Sequence, residues 1–213
     1  MALEKPYVVG LTGGIASGKT TATEYLKTLG AAIIDADQIS RDLTADGGDA
    51  LPMIRNQFGE NVMDNGRLNR SALAEIIFND ITQKRALESI LHPMIQHLII
   101  HEIDAYMRKN MQPAFISAPL LFESGMDAMC DEVWLLVLEP EEQITRAMKR
   151  DGLARNEIIA RIENQMPLHE KMERADVKIQ TNRPVAQTQQ EIAALYRELK
   201  KRVNRNDGAR SNL

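Results

Sequence analysis

Apolar residues along this chain fall into two repeating patterns. Several short apolar runs have the length of buried strands and are separated by polar or helical segments. These runs lie at residues 7–12, 32–34, 114–118, 133–137 and 177–179. The segments between them carry apolar residues at the three- and four-residue spacing of amphipathic helices. Because strands that alternate with helices form parallel sheets, the pattern predicts an α/β fold with a five-stranded parallel sheet, whose ligands bind beyond the carboxyl ends of the strands.

The long interval between the second and third runs has a helical periodicity of its own. Its apolar stripes consist of Leu73, Ile76, Ile77, Ile95, Leu98, Ile99, Ile103 and Tyr106. We expect most of these side chains to pack in a core, and the residues around them to carry any function. The interval therefore predicts a helical insert that shapes a substrate site.

A helical hairpin is predicted after the fourth run. Pro140 and the acidic residues beside it favour a helix start, and Arg146 and Arg150 follow on one face of that helix. Gly152 lies in the break before a second helix, so the segment is typical of a lid that carries arginines. The closing helix is predicted to pack one face on the sheet. That face consists of Ile192, Leu195, Tyr196, Leu199 and Val203.

The composition limits the class of protein. The 213 residues include 26 basic and 30 acidic side chains, which are well mixed and give a formal net charge of -4. This balance offers no broad cationic surface, so we expect neither nucleic acid nor a membrane as a partner. Cys130 is the single cysteine in the sequence, which excludes an intrachain disulfide, and the four histidines lack the clustered spacing that would make a zinc site with it. We expect a cytoplasmic protein, with a monomer favoured over an oligomer.

The strongest chemical signal is the segment 13–20. Its sequence, Gly-Gly-Ile-Ala-Ser-Gly-Lys-Thr, matches the phosphate-binding pattern G-x-x-x-x-G-K-[ST] at every fixed position. The segment begins where the first predicted strand ends and leads into a predicted helix, which is the context in which such a loop binds phosphate. This context argues against the alternative of a glycine-rich turn that only caps a helix. The sequence therefore predicts a site for a nucleoside triphosphate.

Each position of this phosphate loop has an expected role. Main-chain N–H groups should surround phosphate oxygens at the positive end of the following helix. These groups belong to Gly13, Gly14, Ile15, Ala16, Ser17 and Gly18. Lys19 should reach the β- and γ-phosphates, Thr20 should offer its hydroxyl to a metal ion, and Thr21 should help to hold the α-phosphate. The expected cofactors are ATP and Mg²⁺.

Two carboxylates follow the second predicted strand. Asp35 and Asp37 should lie at the same edge of the sheet as the phosphate loop, because the carboxyl ends of parallel strands share an edge. An acid at that edge accepts the proton of an attacking hydroxyl or helps to hold Mg²⁺. One of the two could instead cap the next helix.

The class of reaction is open at this point. A phosphate loop with acids and lid arginines serves kinases, GTPases and regulatory ATPases. The guanine-reading pattern N-K-x-D is absent from the sequence, and a lid that excludes water favours a kinase. The alternatives are a phosphate-loop kinase of a nucleoside monophosphate or small alcohol, and a non-catalytic ATP-binding regulator, against which Asp37 argues.

The predicted organisation is a single P-loop kinase domain over residues 1–204, followed by a flexible tail at 205–213. Its core comprises residues 6–40, 111–139 and 173–204, its helical substrate insert residues 41–110, and its lid residues 140–172.

Several segments together resemble the dephospho-coenzyme A kinase family. The likeness runs from Val8 to Asn182. It is carried by segments 9–15, 34–41, 66–70, 91–93, 119–123 and 175–176, together with Phe78, Arg146, Arg150 and Asn182. Each segment alone is weak evidence for the resemblance, whereas the order and spacing of all the segments together are specific to the family.

The resemblance implies a reaction, in which ATP phosphorylates the ribose 3′-hydroxyl of dephospho-coenzyme A and gives coenzyme A and ADP. In that family the second acid of the D-A-D run acts as the base, which here is Asp37, while Asp35 would support it or the metal. Arg146 would bridge the transferring phosphates. Arg150 is a weaker candidate, because it could instead pair with acids of its own helix or cap its carbonyls. Glu123, after the third strand, would touch substrate or serve as a loop carboxylate.

The helical insert is then implied to bind the acceptor. Arg41, Arg70 and His92 would lie near its nucleotide or its pantetheine arm. Structural alternatives exist for two of them, since His92 could order a turn before Pro93 and Arg41 could pair with a neighbouring aspartate.

Two positions depart from the family pattern, which commonly has glycine at Ala16 and often serine at Thr20. Thr20 keeps a hydroxyl for the metal. Ala16 needs only a backbone angle that is open to L-residues, so a required positive φ there would count against this placement of the loop.

Overall fold

The computed structural model describes residues 6–109, 111 and 113–210, with side chains described up to residue 204. The strands are β1 (Val8–Gly13), β2 (Ala32–Asp35), β3 (Met63–Asp64), β4 (Arg67–Leu68), β5 (Ala114–Ser117), β6 (Glu132–Val137) and β7 (Val177–Gln180). The central sheet has five strands in the order β2-β5-β1-β6-β7, and β3 pairs with β4 in a separate hairpin. The predicted five-stranded parallel sheet is confirmed.

The helices follow the predicted alternation with the strands. They are α1 (Lys19–Thr28), α2 (Ala36–Leu43), α3 (Leu51–Phe58), α4 (Arg70–Asn79), α5 (Ile81–Arg108), α6 (Pro140–Asp151), α7 (Arg155–Glu163), α8 (Leu168–Arg174) and α9 (Val185–Arg210). Short 3₁₀ turns occupy Glu60–Val62 and Met126–Met129.

Strand β1 lies at the centre of the sheet. It pairs in parallel with β5, where Val8 is opposite Ala114, and with β6, where Gly13 is opposite Leu136. Every residue of β1 and of β6 is buried, as expected for strands covered on both faces. The strand order reverses around β1, so the loop after Gly13 leaves the sheet at the point where α/β proteins bind ligands.

One large apolar cluster joins the sheet to α1 and α9. Trp134 and Phe115 meet edge to face at a centroid distance of 5.3 Å. Leu26 of α1 and Leu199 of α9 belong to the same cluster, and each is 0% exposed. The closing helix therefore packs on the sheet, as its periodicity predicts.

The amino end of β6 carries a buried carboxylate. Glu132 accepts hydrogen bonds from Trp134 Nε1 at 2.6 Å, from Tyr7 OH at 3.1 Å and from Arg202 Nη2 at 2.7 Å. Burial, followed by the charge of Glu132, raises the pKa of Tyr7. These contacts fix α9 to the edge of the sheet opposite the phosphate loop.

The backbone falls into two compact units, one from residue 35 to 102 and the other from the rest of the described chain. The smaller unit overlaps the predicted helical insert, and the finer division into core, insert and lid stays a prediction. Its β3–β4 hairpin was not predicted. Asn65 has a φ of 51° and Gly66 a φ of 82°, as in the tight hairpin turns that favour Asn-Gly.

Helix α5 runs through the position where we expected a turn. His92 and Pro93 lie inside this 28-residue helix, so the expected turn is wrong. A proline removes one backbone hydrogen bond from a helix, and here the long apolar stripes on either side outweigh that loss. His92 is half-buried within the helix.

Helix α9 continues to Arg210, beyond the expected domain boundary at 204. Gly208 disfavours a helix only by about 1 kcal/mol relative to alanine, which does not end one by itself. The remainder of the predicted tail, residues 211–213, lies outside the described residues. Within the part of the chain that is described, no helix is long and apolar enough to cross a membrane.

Candidate active site

The phosphate loop connects β1 directly to α1. Gly18 stands at the N-cap of α1 with a φ of 91°, a conformation that suits glycine. Having no side chain, Gly18 offers no acceptor to the first amides of α1, so these amides point to an incoming anion. At the other end of the loop, a methyl group on Gly13 would lie 2.4 Å from Ser17 Oγ and 3.0 Å from the carbonyl oxygen of Leu136. Glycine is therefore needed at both ends.

Ala16 departs from our expectation. It has a φ of 56°, so the prediction of an ordinary backbone angle is wrong. The left-handed region is open to L-residues at a cost of about 1–2 kcal/mol, which explains how alanine can occupy a position where the related family commonly has glycine. Ala16 packs with Ile15 against a cluster of Ile144, Ala147 and Ile158, and this burial offsets part of the cost.

Lys19 is held by the neighbouring strand. Its Nζ lies 3.0 Å from Oγ of Ser117, the last residue of β5. Ser117 is fully buried, so its hydroxyl has a fixed place at the carboxyl edge of the sheet. Thr12, just before the loop, donates to the carbonyl of Pro119 at 3.2 Å. The loop and its lysine are thus attached to the segment after β5.

The phosphate loop and the start of α1 carry three hydroxyl groups that could bind a triphosphate or its metal ion. Ser17 is 1% exposed, and its hydroxyl has no hydrogen-bond partner among the described residues. A buried polar group without a partner is costly unless something else supplies one. Thr20 and Thr21 are exposed in the first turn of α1, where hydroxyl groups are accessible to phosphate or metal.

A small cavity of about 140 Å³ adjoins the phosphate loop. Gly18 and Thr21 form its loop side, Arg146 lies on α6, and Thr181 and Arg183 follow β7. Arg146 is fixed there because its Nη2 donates to the carbonyl of Thr181 at 2.7 Å. The cavity therefore lies directly beside the loop that is predicted to bind the phosphates of a nucleotide.

Arg150 and Glu123 both have protein partners. Arg150 binds Asp151 through Nε at 2.6 Å and Nη2 at 2.9 Å, and this pair raises the pKa of Arg150 and lowers that of Asp151. Glu123 Oε1 lies 2.9 Å from Nζ of Lys171 and accepts the N–H of Met166 at 2.8 Å. Arg150 therefore pairs with an acid of its own helix, and Glu123 serves as a loop carboxylate, which are the structural alternatives considered for them. Contact of either side chain with substrate stays a prediction.

The two aspartates belong to the smaller unit. Asp35 ends β2 and caps α2, since its Oδ1 accepts the N–H of Gln38 at 3.1 Å. Asp37 lies in the first turn of α2. Asp35 thus takes the capping role considered for one of the pair, which leaves Asp37 as the stronger candidate for the base.

The other candidate residues of this unit are distributed over its helices. Arg41 donates to Gln38 Oε1 at 3.2 Å from Nε and 2.9 Å from Nη2, so its hydrogen-bond partner here is a glutamine and not the aspartate considered as an alternative. Arg70, at the start of α4, donates to the carbonyl and the hydroxyl of Thr44 at 3.1 and 3.0 Å. His92 lies on α5.

Comparison with known proteins decides the family. The family model for dephospho-CoA kinase matches residues 7–187. The chain belongs to the dephospho-CoA kinase family. A dephospho-CoA kinase from Carboxydothermus hydrogenoformans is 38% identical over 91% of this chain and 94% of its own length.

Solved structures agree with this membership. A dephospho-CoA kinase from Campylobacter jejuni matches with a TM-score of 0.67 and 29% identity over 91% of this chain and 97% of its own. The structure of TT1252 from Thermus thermophilus matches with a TM-score of 0.78 and 31% identity, over 92% of this chain and 99% of its own. As a member of the dephospho-CoA kinase family, the chain is an ATP-dependent kinase with a small-molecule substrate, and the predicted fold class is confirmed.

The site of this dephospho-CoA kinase family member also contains residues that sequence reasoning missed. Ser117 holds Lys19, Thr181 holds Arg146, and Gln143 lies against Gly14. Ser117 was detectable as the hydroxyl in an otherwise apolar run. Thr181 and Gln143 gave no signal, because their roles depend on contacts between segments far apart in sequence.

Proposed function

We propose that this chain transfers the γ-phosphoryl group of ATP to the ribose 3′-hydroxyl of dephospho-coenzyme A, giving coenzyme A and ADP. The observation that carries the proposal is the phosphate loop with Lys19 anchored on Ser117, in a chain of the dephospho-CoA kinase family.

The nucleotide would bind through main-chain amides and two side chains. The amides of residues 13–18 would hold phosphate oxygens, Lys19 would contact the β- and γ-phosphates, and Thr21 would hold the α-phosphate. Thr20 would hold Mg²⁺, which when bound neutralises charge on the phosphate oxygens. The base would occupy the cavity beside Arg146 and Thr181.

The reaction needs a base for the acceptor hydroxyl and a cation for the transferring group. Asp37 would accept the hydroxyl proton, and Asp35 would support it by fixing the start of α2 through its capping bond. Arg146 would stabilise the charge that spreads over the phosphoryl oxygens, for which its guanidinium would leave the carbonyl of Thr181.

Five further residues are candidates for binding the acceptor. We propose Arg41, Arg70 and His92 for its nucleotide and pantetheine parts, and Glu123 and Arg150 for further contacts. The contacts that these side chains make with protein groups would have to loosen or be shared when acceptor binds. Absence of nucleic-acid and membrane partners, a monomeric state and a cytoplasmic location stay predictions.

A coupled assay for ADP release tests the function. Mg·ATP is supplied with dephospho-coenzyme A, with adenosine monophosphate, or without acceptor, and the product mass is measured. Release that depends on dephospho-coenzyme A, with a product heavier by one phosphate, would support the proposal. Transfer to adenosine monophosphate would favour a nucleoside monophosphate kinase, and ATP binding without any transfer would favour the regulator.

A further inference from the structure

Gln143 lies in the first turns of α6 and contacts the phosphate loop. Its side chain is 4% exposed, and its Nε2 donates to the carbonyl of Leu138, the residue after β6, at 2.7 Å. A methyl group built on Gly14 would lie 2.5 Å from Oε1 and 2.9 Å from both Cδ and Nε2 of Gln143. The amide group of Gln143 therefore packs closely against Gly14.

The absence of a side chain at position 14 follows from this contact. Gly14 does not have a positive φ, so it lacks the left-handed backbone angle that favours glycine. The space that a side chain would fill is occupied by Gln143 alone among its nearest neighbours. Gly14 is thus required by the amide packed on it, not by the bend of the chain.

The same helix continues this contact along the loop. Ile15 and Ala16 pack against Ile144 and Ala147 of α6 and Ile158 of α7. Three consecutive loop residues therefore rest on the helical hairpin. Arg146 lies one turn after Gln143 on α6, so the position of the loop and the position of this arginine depend on one rigid element.

We propose that Gln143 is a positioning residue for phosphoryl transfer, because its amide fixes the position of the phosphate loop at Gly14 relative to Arg146. This inference rests on the proposed function only in assuming that the loop holds ATP and that Arg146 meets the transferring group. Gln143 itself touches neither nucleotide nor acceptor in this role. Misplacement of catalytic groups by about 1 Å costs on the order of 100-fold in rate, so a shift of the loop should reduce kcat more than it weakens ATP binding.

A double-mutant cycle tests the contact. Gly14→Ala should weaken binding of a non-hydrolysable ATP analogue about tenfold or more, because the methyl group displaces the loop or the amide. In the background of Gln143→Ala the same methyl group no longer meets the amide, so Gly14→Ala should weaken binding of the analogue by a clearly smaller factor. If Gly14→Ala weakens the analogue by the same factor in both backgrounds, the proposal is overturned. Analogue binding requires no acceptor, so this result is independent of which substrate is phosphorylated.

A second variant covers the case in which Gly14→Ala does not fold. Gln143→Met keeps most of the side-chain volume and removes the hydrogen bond to Leu138, and it should lower kcat about tenfold with a smaller change in the KM for ATP. Gln190→Met on the exposed side of α9 is the matched control. A Gln143→Met enzyme with wild-type kcat contradicts a positioning role, as does a loss of activity that follows the folded fraction alone.

Discussion

Lys171 of α8 binds Glu123 across 2.9 Å, and its side chain is 2% exposed against 22% for Glu123. Lys171 also donates to the carbonyl of Pro119 at 3.3 Å, the same carbonyl that accepts from Thr12. This ion pair, in which only the lysine is buried, therefore ties the helix after the hairpin to the segment that adjoins the phosphate loop.

Removal of Glu123 alone should destabilise the protein. Glu123→Leu leaves the buried ammonium of Lys171 without its counter-charge, which costs about 3–5 kcal/mol. The double variant Glu123→Leu with Lys171→Met should recover much of this loss, since no charge is left buried. Urea denaturation measures both, and Lys201→Met in an exposed pair should change stability by about 0.5 kcal/mol or less. A double variant no more stable than Glu123→Leu would contradict this account of the pair.

The two aspartates of the D-A-D run should separate into a catalytic and a structural role. Asp37→Asn should keep ATP binding and reduce kcat by about 100-fold or more, as expected for loss of a general base. Asp35→Asn should keep its capping bond, because asparagine caps helices as well as aspartate does, whereas Asp35→Ala should lose about 1 kcal/mol of stability. Steady-state kinetics and thermal unfolding of all three variants distinguish the roles, and a larger kcat loss in Asp35→Asn would reverse the assignment.

Ala16 should tolerate glycine unusually well. Ala16→Gly relieves the left-handed strain of about 1–2 kcal/mol but loses a partly buried methyl group and gives freedom to the unfolded chain. We expect a net change within about 1 kcal/mol of zero, whereas Ala194→Gly inside α9 should cost about 1 kcal/mol. Denaturant unfolding of the two variants compares them directly. Equal losses at both sites would show that the positive φ of Ala16 carries no strain.

Cys130 should be unreactive while the protein is folded. Burial raises the pKa of its thiol to about 12, with smaller contributions from the charges of Asp127 and Asp131. At pH 8 a disulfide reagent should therefore modify the folded protein far more slowly than the denatured one. As pH rises from the ordinary thiol pKa towards 12, the unfolded chain loses this proton while the folded protein keeps it, so stability falls. Cys130→Ser should remove this part of the pH dependence, and fast labelling of the native protein would contradict the assignment.

The sheet and the phosphate loop could be predicted because their signals are local. An apolar run followed by Gly13 and Lys19 identifies strand, loop and helix within about a dozen residues. The backbone angle of Ala16 could not be predicted, since a small cost in strain is met by packing against α6 and α7. The continuity of α5 through Pro93 was missed for a similar reason, because tertiary packing overrides a local helix breaker.

The partners of candidate residues were the hardest to predict. Glu123 follows a strand and was considered either for a substrate contact or as a loop carboxylate, and its link to Lys171 depends on a residue 48 positions away. Gln143 carries no motif of its own, and its contact with Gly14 joins segments more than 120 residues apart. Sequence patterns indicate local structure, whereas such contacts form only once the sheet has brought distant segments together.

The central place of β1 has a consequence for how the molecule assembles. Its two ladders join Val8 to Ala114 and Gly13 to Leu136, so the first strand in the chain has no neighbour until more than a hundred further residues have been synthesised. Pairing over such separations is slow. The phosphate loop therefore precedes in the chain the strands that shape it. Nucleotide binding during refolding should begin only when β5 and β6 have paired with β1.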